Sequence, residues 1–88
     1  MINALPDLPE AIILCGGKGV RLRPITYNIP KPLVIIKDKP ILHYVIAHLT
    51  KYNIKKIHIA SGYKSEMIEE YFSDNNYDAE INIYDSGD

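Results

Sequence analysis

The chain has 88 residues, 47% of them hydrophobic and 24% charged, with a net charge of −1. That composition fits one small globular domain, excludes wholesale disorder, and argues against a nucleic-acid binder that relies on bulk charge. The single cysteine, Cys15, excludes an intrachain disulfide and a cysteine-cluster metal site, and no apolar run approaches the roughly 20 residues needed to span a bilayer.

Residues 1–9 contain two prolines and read as a short irregular lead; the first ten carry two acids and no Lys or Arg, unlike a signal peptide, so a reducing, cytoplasmic location is expected. Ala11–Cys15 (AIILC) is a continuous apolar run stopped by Gly16-Gly17, as suits a strand buried on both faces of a parallel sheet. A glycine-rich loop follows, then a second extended piece over Leu33–Lys37. Pro40 sits where a first helical turn tolerates it, and Ile41, Leu42, Val45, Ile46 and Leu49 recur at helical spacing, predicting a helix to about Tyr52 with Asn53 as its stop. Lys56–Ser61 alternates as a strand. Ser65–Phe72 predicts a helix with Ser65 as its cap, Glu66 in its first turn and Met67, Ile68, Tyr71 and Phe72 on its apolar side. Ala79–Asp85 alternates again as a strand. Strands alternating with helices imply an α/β fold, here the N-terminal half of a doubly wound, mainly parallel, Rossmann-like nucleotide-binding sheet.

Charge is unevenly spread along this order. All ten Lys and Arg lie at or before Lys64, and eight of the eleven acids lie at or after Glu66. Between positions 11 and 40, Lys18, Arg21, Arg23, Lys31, Lys37 and Lys39 face a single acid, Asp38, so an anion would be held by the first half. The glycine loop is the natural place. A glycine-rich turn directly after a buried strand exposes backbone N–H groups at the carboxyl edge of the sheet, where such folds bind ligands. Gly16, Gly17 and Gly19 permit a phosphate to approach the backbone closely.

Two named phosphate loops fail on spacing. A dinucleotide fingerprint starting at Gly17 requires glycine at position 22, which is Leu22; a Walker A loop requires Ser or Thr after Lys18, where Gly19 stands. What remains is G-G-x-G-x-R-x-x-P-x-T over Gly16–Thr26, followed by Pro30-Lys31-Pro32. On these residues the chain resembles the sugar-1-phosphate nucleotidyltransferases, with Val20 standing where that family usually has Thr or Ser. The resemblance covers residues 1–88 as the N-terminal nucleotide-binding part of a longer domain. Within the family, Gly62-Tyr63-Lys64, Glu70-Tyr71-Phe72 and the strand end Asp85-Ser86-Gly87-Asp88 are similar to the branch that transfers cytidylyl groups to glucose 1-phosphate.

The resemblance implies transfer of a nucleotidyl group, CTP favoured, from a nucleoside triphosphate to a sugar 1-phosphate, releasing pyrophosphate. In transfer at phosphorus the protein mainly positions groups and neutralises charge. It further implies that backbone amides over Gly16, Gly17, Lys18, Gly19 and Val20 cradle the triphosphate, with Leu14 and Cys15 bordering the base. Arg21 offers a planar fork to the leaving pyrophosphate, and Lys31, held extended between Pro30 and Pro32, meets the phosphate at the reacting centre. Mg²⁺ is implied, held by an aspartate beyond residue 88 with no ligand inside the chain; Asp88 reads as a solvated turn acid. Nucleic acid and membrane are not expected partners, and a homo-oligomer is compatible with the pattern. The alternative is a nucleotide-binding or regulatory module without turnover.

The remaining polar residues read as structural. Cys15 fits a small buried hydrophobe. His43, His48 and His58 have no ligand spacing, and the seven tyrosines suit half-buried wet surfaces.

Overall fold

The computed structural model describes Ile2–Ala4 and residues 10–85. The strands are β1 (Ile2–Ala4), β2 (Glu10–Cys15), β3 (Ile35–Ile36), β4 (Lys39–Pro40), β5 (Lys56–Ser61) and β6 (Glu80–Asp85). The helices are α1 (Ile41–Lys51) and α2 (Ser65–Asp74). The main sheet runs β1-β2-β5-β6, with β2, β5 and β6 parallel and in register at Ile13, Ile59 and Ile83. The α/β fold and its parallel sheet are therefore as the alternation of elements predicts.

Four local expectations change. The lead over residues 1–9 is expected to be irregular, yet Ile2–Ala4 within it pairs antiparallel with Ala11–Ile13, the rest of the lead lying outside the described residues. Pairing with a strand already in place orders a segment too short to show its own alternation. The extended piece at Leu33–Lys37 is shorter, with Ile35–Ile36 pairing with Lys39–Pro40 in a hairpin. The hairpin tip, Lys37 and Asp38, has φ of 49° and 78°, and the Tyr44 hydroxyl on α1 donates to the carbonyls of Ile36 and Lys37 at 2.6 and 2.9 Å. Thirdly, Ser65 does not cap α2. Lys64 (φ 54°) is the capping residue, and the Ser65 hydroxyl lies buried 2.6 Å from that of Ser61. The fourth change concerns the two-faced burial of β2.

Alternate residues of each strand face the helices. Ala11, Ile13, Cys15, Ile57 and Ile59 join Leu42, Ile46 and Leu49 of α1 and Ile68 of α2 in one core. Both helices pack on that one face, so Ile12 and Leu14 on the other remain 42% and 62% exposed. A hydrogen-bonded row crosses this open face: His58 lies 2.6 Å from Glu10 through Nε2 and 3.2 Å from the Tyr84 hydroxyl through Nδ1.

α1 stops where the sequence predicts. Asn53 takes φ 63°, and Ile54 N–H returns to the Leu49 carbonyl at 3.1 Å, satisfying an end carbonyl. Of the seven tyrosines expected on half-buried surfaces, Tyr63, Tyr71 and Tyr77 are half-buried, whereas Tyr27, Tyr44, Tyr52 and Tyr84 are exposed. Tyr71, Phe72 and Tyr77 stack edgewise or tilted, the Tyr71 and Tyr77 hydroxyls bond each other, and the Tyr77 hydroxyl reaches His43 Nδ1 at 3.1 Å.

Candidate functional site

The glycine loop leaves the carboxyl end of β2 and is folded by three short 3₁₀ turns, Val20–Leu22, Ile25–Tyr27 and Lys31–Leu33, before the β3–β4 hairpin and α1. Its glycines do different jobs. At Gly19, φ is +64°, and a Cβ would sit 2.8 Å from Thr26 Cγ2 and 3.3 Å from Lys31 Cβ, so only glycine fits. At Gly16 and Gly17 a Cβ would meet nothing within 4 Å. Their backbone is open to an incoming group, whereas Gly19 is a packed joint.

Thr26 makes that joint. It is fully buried, and its hydroxyl donates to the Gly19 carbonyl at 2.7 Å, an acceptor shared with Leu22 N–H at 2.9 Å. Lys31 is brought beside Gly19 by a turn in which Leu33 N–H reaches the Pro30 carbonyl and Val34 N–H the Lys31 carbonyl, each at 3.0 Å. This corrects the expected extended backbone at Lys31. The preference that a following proline imposes is overridden by the two turn hydrogen bonds.

A cleft of about 670 Å³ lies against the loop. Seven residues read from the sequence line it: Leu14, Cys15, Gly17, Gly19, Val20, Arg21 and Lys31. Gly16 and Lys18 are exposed beside the loop but are not among its walls. Pro32 with Ile41, Leu42 and Val45 closes the apolar side, the last three being a contribution of α1 that the loop motif did not reveal. The charged residues lining the cleft are Arg21 and Lys31, with no acid among them, so its electrostatics favour an anion. Burial pushes the Cys15 thiol up to about 11, keeping it a neutral wall at ordinary pH. Arg23 instead turns outward, its guanidinium 4.8 Å from the Tyr27 ring.

Residues 10–86 match the sequence model of the family described as nucleotidyl transferase. The chain belongs to that family. It is 51% identical over 65 residues to D-glycero-alpha-D-manno-heptose 1-phosphate guanylyltransferase of Campylobacter jejuni, covering 74% of this chain and 29% of that relative. It is 46% identical over 65 residues to the probable glucose-1-phosphate cytidylyltransferase of Bacillus subtilis, covering 74% and 26%. Its fold superposes with a TM-score of 0.69 on the CTP:phosphocholine cytidylyltransferase of Streptococcus pneumoniae, at 38% identity, covering 84% and 32%. The chain thus spans less than a third of the length of each of these nucleotidyltransferases.

The implied Mg²⁺ finds no cage here. Mg²⁺ requires oxygen ligands converging in near-octahedral geometry. Among the described residues no group of three or more His, Cys, Asp or Glu side chains gathers, and the cleft walls carry no acid. These residues do not fit the ion by themselves, and Asp88 lies outside the described residues. Among the described residues no helix is long and apolar enough to cross a membrane.

Proposed function

We propose that this chain is the triphosphate-holding part of a nucleotidyltransferase acting on a sugar 1-phosphate. The observation that carries the reading is the acid-free cleft in which the open backbone at Gly17 meets Arg21 and Lys31. In the proposed reaction a phosphate oxygen of the sugar phosphate attacks the α-phosphorus, the bond from that phosphorus to the bridging oxygen breaks, and pyrophosphate leaves with the electron pair. Leu14 and Cys15 border the base. Amides over Gly16, Gly17, Lys18, Gly19 and Val20 face the phosphates, with Val20 contributing its backbone alone. Arg21 supplies a rigid fork to the leaving phosphates and Lys31 a compact charge near the α-phosphate. Cytosine is the proposed base, on Gly62-Tyr63-Lys64 and the strand end at Asp85; guanine is the competitor, given the heptose-phosphate guanylyltransferase relative.

Calorimetric titration of the chain with CTP and GTP tests the reading. Saturable triphosphate binding is expected, weakened roughly 10-fold or more in Arg21→Ala and in Lys31→Ala, as loss of a charge-assisted hydrogen bond requires. Binding indifferent to both substitutions, or none at all, overturns it. Tighter binding of GTP than CTP overturns the base assignment alone. Pyrophosphate release with glucose 1-phosphate separates turnover from simple holding.

A further inference from the structure

The short junction between β5 and α2 reaches into the phosphate loop through one side chain. The Tyr63 hydroxyl donates to the Thr26 carbonyl at 2.7 Å and lies 3.4 Å from the Tyr27 carbonyl, across 37 and 36 positions of sequence. Thr26 in turn bonds the Gly19 carbonyl, and Gly19 abuts Lys31. The chain of contacts therefore runs Tyr63, Thr26, Gly19, Lys31.

The two ends of this chain differ in rigidity. Tyr63 stands in a turn closed by Ser65 N–H on the Gly62 carbonyl at 3.1 Å and by the buried Ser61–Ser65 hydroxyl pair, and the first turn of α2 follows at once with Met67 N–H on the Lys64 carbonyl at 3.0 Å. Residues 16–34 have only 3₁₀ turns, the looser and poorer hydrogen-bonded helix type. A ring on a fixed base can hold a loop that cannot hold itself.

We propose that Tyr63 is a positioning residue, pegging Thr26 so that Gly19 and Lys31 keep the spacing a triphosphate requires. The proposal rests on the reading of the loop as a triphosphate cradle. It assigns Tyr63 no contact with the nucleotide; its effect is carried by Thr26. A monophosphate, which needs less of the loop, depends on it less.

The test compares CTP and CMP affinity, thermal midpoint and amide hydrogen exchange in wild type, Tyr63→Phe, Thr26→Val and Thr26→Ser. Tyr63→Phe deletes one oxygen, and Thr26→Val keeps the shape while removing the hydroxyl. Both are expected to weaken CTP roughly 5- to 10-fold while CMP affinity changes less than 2-fold, and to speed exchange at residues 19–22 and 31–34 without nucleotide. Thr26→Ser, which retains the hydroxyl, is expected to stay within 2-fold of wild type. Wild-type CTP affinity in Tyr63→Phe overturns the proposal, as does an equal loss of CTP and CMP that tracks a fallen midpoint. Should wild type bind no triphosphate, the cradle reading fails and with it the functional role of Tyr63. Exchange then shows separately whether the peg itself exists: unchanged exchange in Tyr63→Phe removes that as well.

Discussion

The two strand-to-helix junctions of the parallel sheet start from equivalent points and are built in opposite ways. Cys15 ends β2 and Ser61 ends β5, and the two are paired in register. From Ser61 the chain turns into α2 over residues 62–64, using one left-handed residue, Lys64, and a buried hydroxyl pair. From Cys15 it wanders over residues 16–40, through three 3₁₀ turns and a hairpin, before α1 begins. Packing and turn hydrogen bonds account for the path of the short junction, and its one side chain that reaches further is Tyr63. The long junction folds its glycines, its buried threonine and its two cleft cations around an open cleft, as the proposed binding role asks of a loop.

Both junctions stand on one core, and the largest expected effect tests that. Ile59, fully buried between them, should cost about 3 kcal/mol on Ile59→Ala. Far- and near-ultraviolet circular dichroism should still report one unfolding midpoint; two separated midpoints would mean that the loop melts independently. Next, Gly19→Ala should cost about 2 kcal/mol, from a left-handed φ of 64° and the contact with Thr26. Gly16→Ala and Gly17→Ala, open on all sides, should stay within about 0.5 kcal/mol by denaturant titration while still weakening triphosphate binding. If all three behave alike in stability, the division of labour among the glycines is wrong.

The register-paired ends of β2 and β5 should also differ chemically. Cys15 is an acid whose folded pKa, about 11, lies above its ordinary value of 9.0. Below pH 9 the thiol is protonated folded or unfolded; between the two values the unfolded chain ionises first, so stability falls as pH rises and then levels. The loss, up to about 2 kcal/mol, should be absent from Cys15→Ala when midpoints are compared pH by pH. Folded Cys15 should likewise react with iodoacetamide at pH 8 at least roughly 100-fold slower than an exposed thiol. The short junction should show a modest effect of its own. Ser65→Ala should lower stability by about 1 kcal/mol by denaturant titration.

Much of this was legible in the residues. The apolar spacing of Leu42, Ile46 and Leu49 marks α1, the alternation of Lys56–Ser61 marks β5, and the glycine, arginine and lysine spacing marks the loop. What stayed hidden depended on distant partners. Nothing local makes Ile2–Ala4 a strand; β2 does. The run Ala11–Cys15 reads as buried on both faces, since sequence does not say on which side the two helices fall. Ser65 obeys a cap rule in sequence, but the hydroxyl finds Ser61 first. Thr26 belonged to the motif without a role, and Tyr63 carried no signal at all that it reaches the loop.

The hairpin tip has a practical meaning for anyone wishing to strengthen the molecule. Lys37 and Asp38 both adopt the left-handed conformations of a mirror-image turn that asparagine and glycine fill more readily. They carry no wall of the cleft, and Tyr44 already fastens the carbonyls of Ile36 and Lys37 to α1. Lys37→Asn with Asp38→Gly would relieve the unfavourable backbone geometry at positions outside the walls of the cleft. The fold therefore keeps an untapped reserve of stability at its rim, on which the demanding geometry of the loop places no claim.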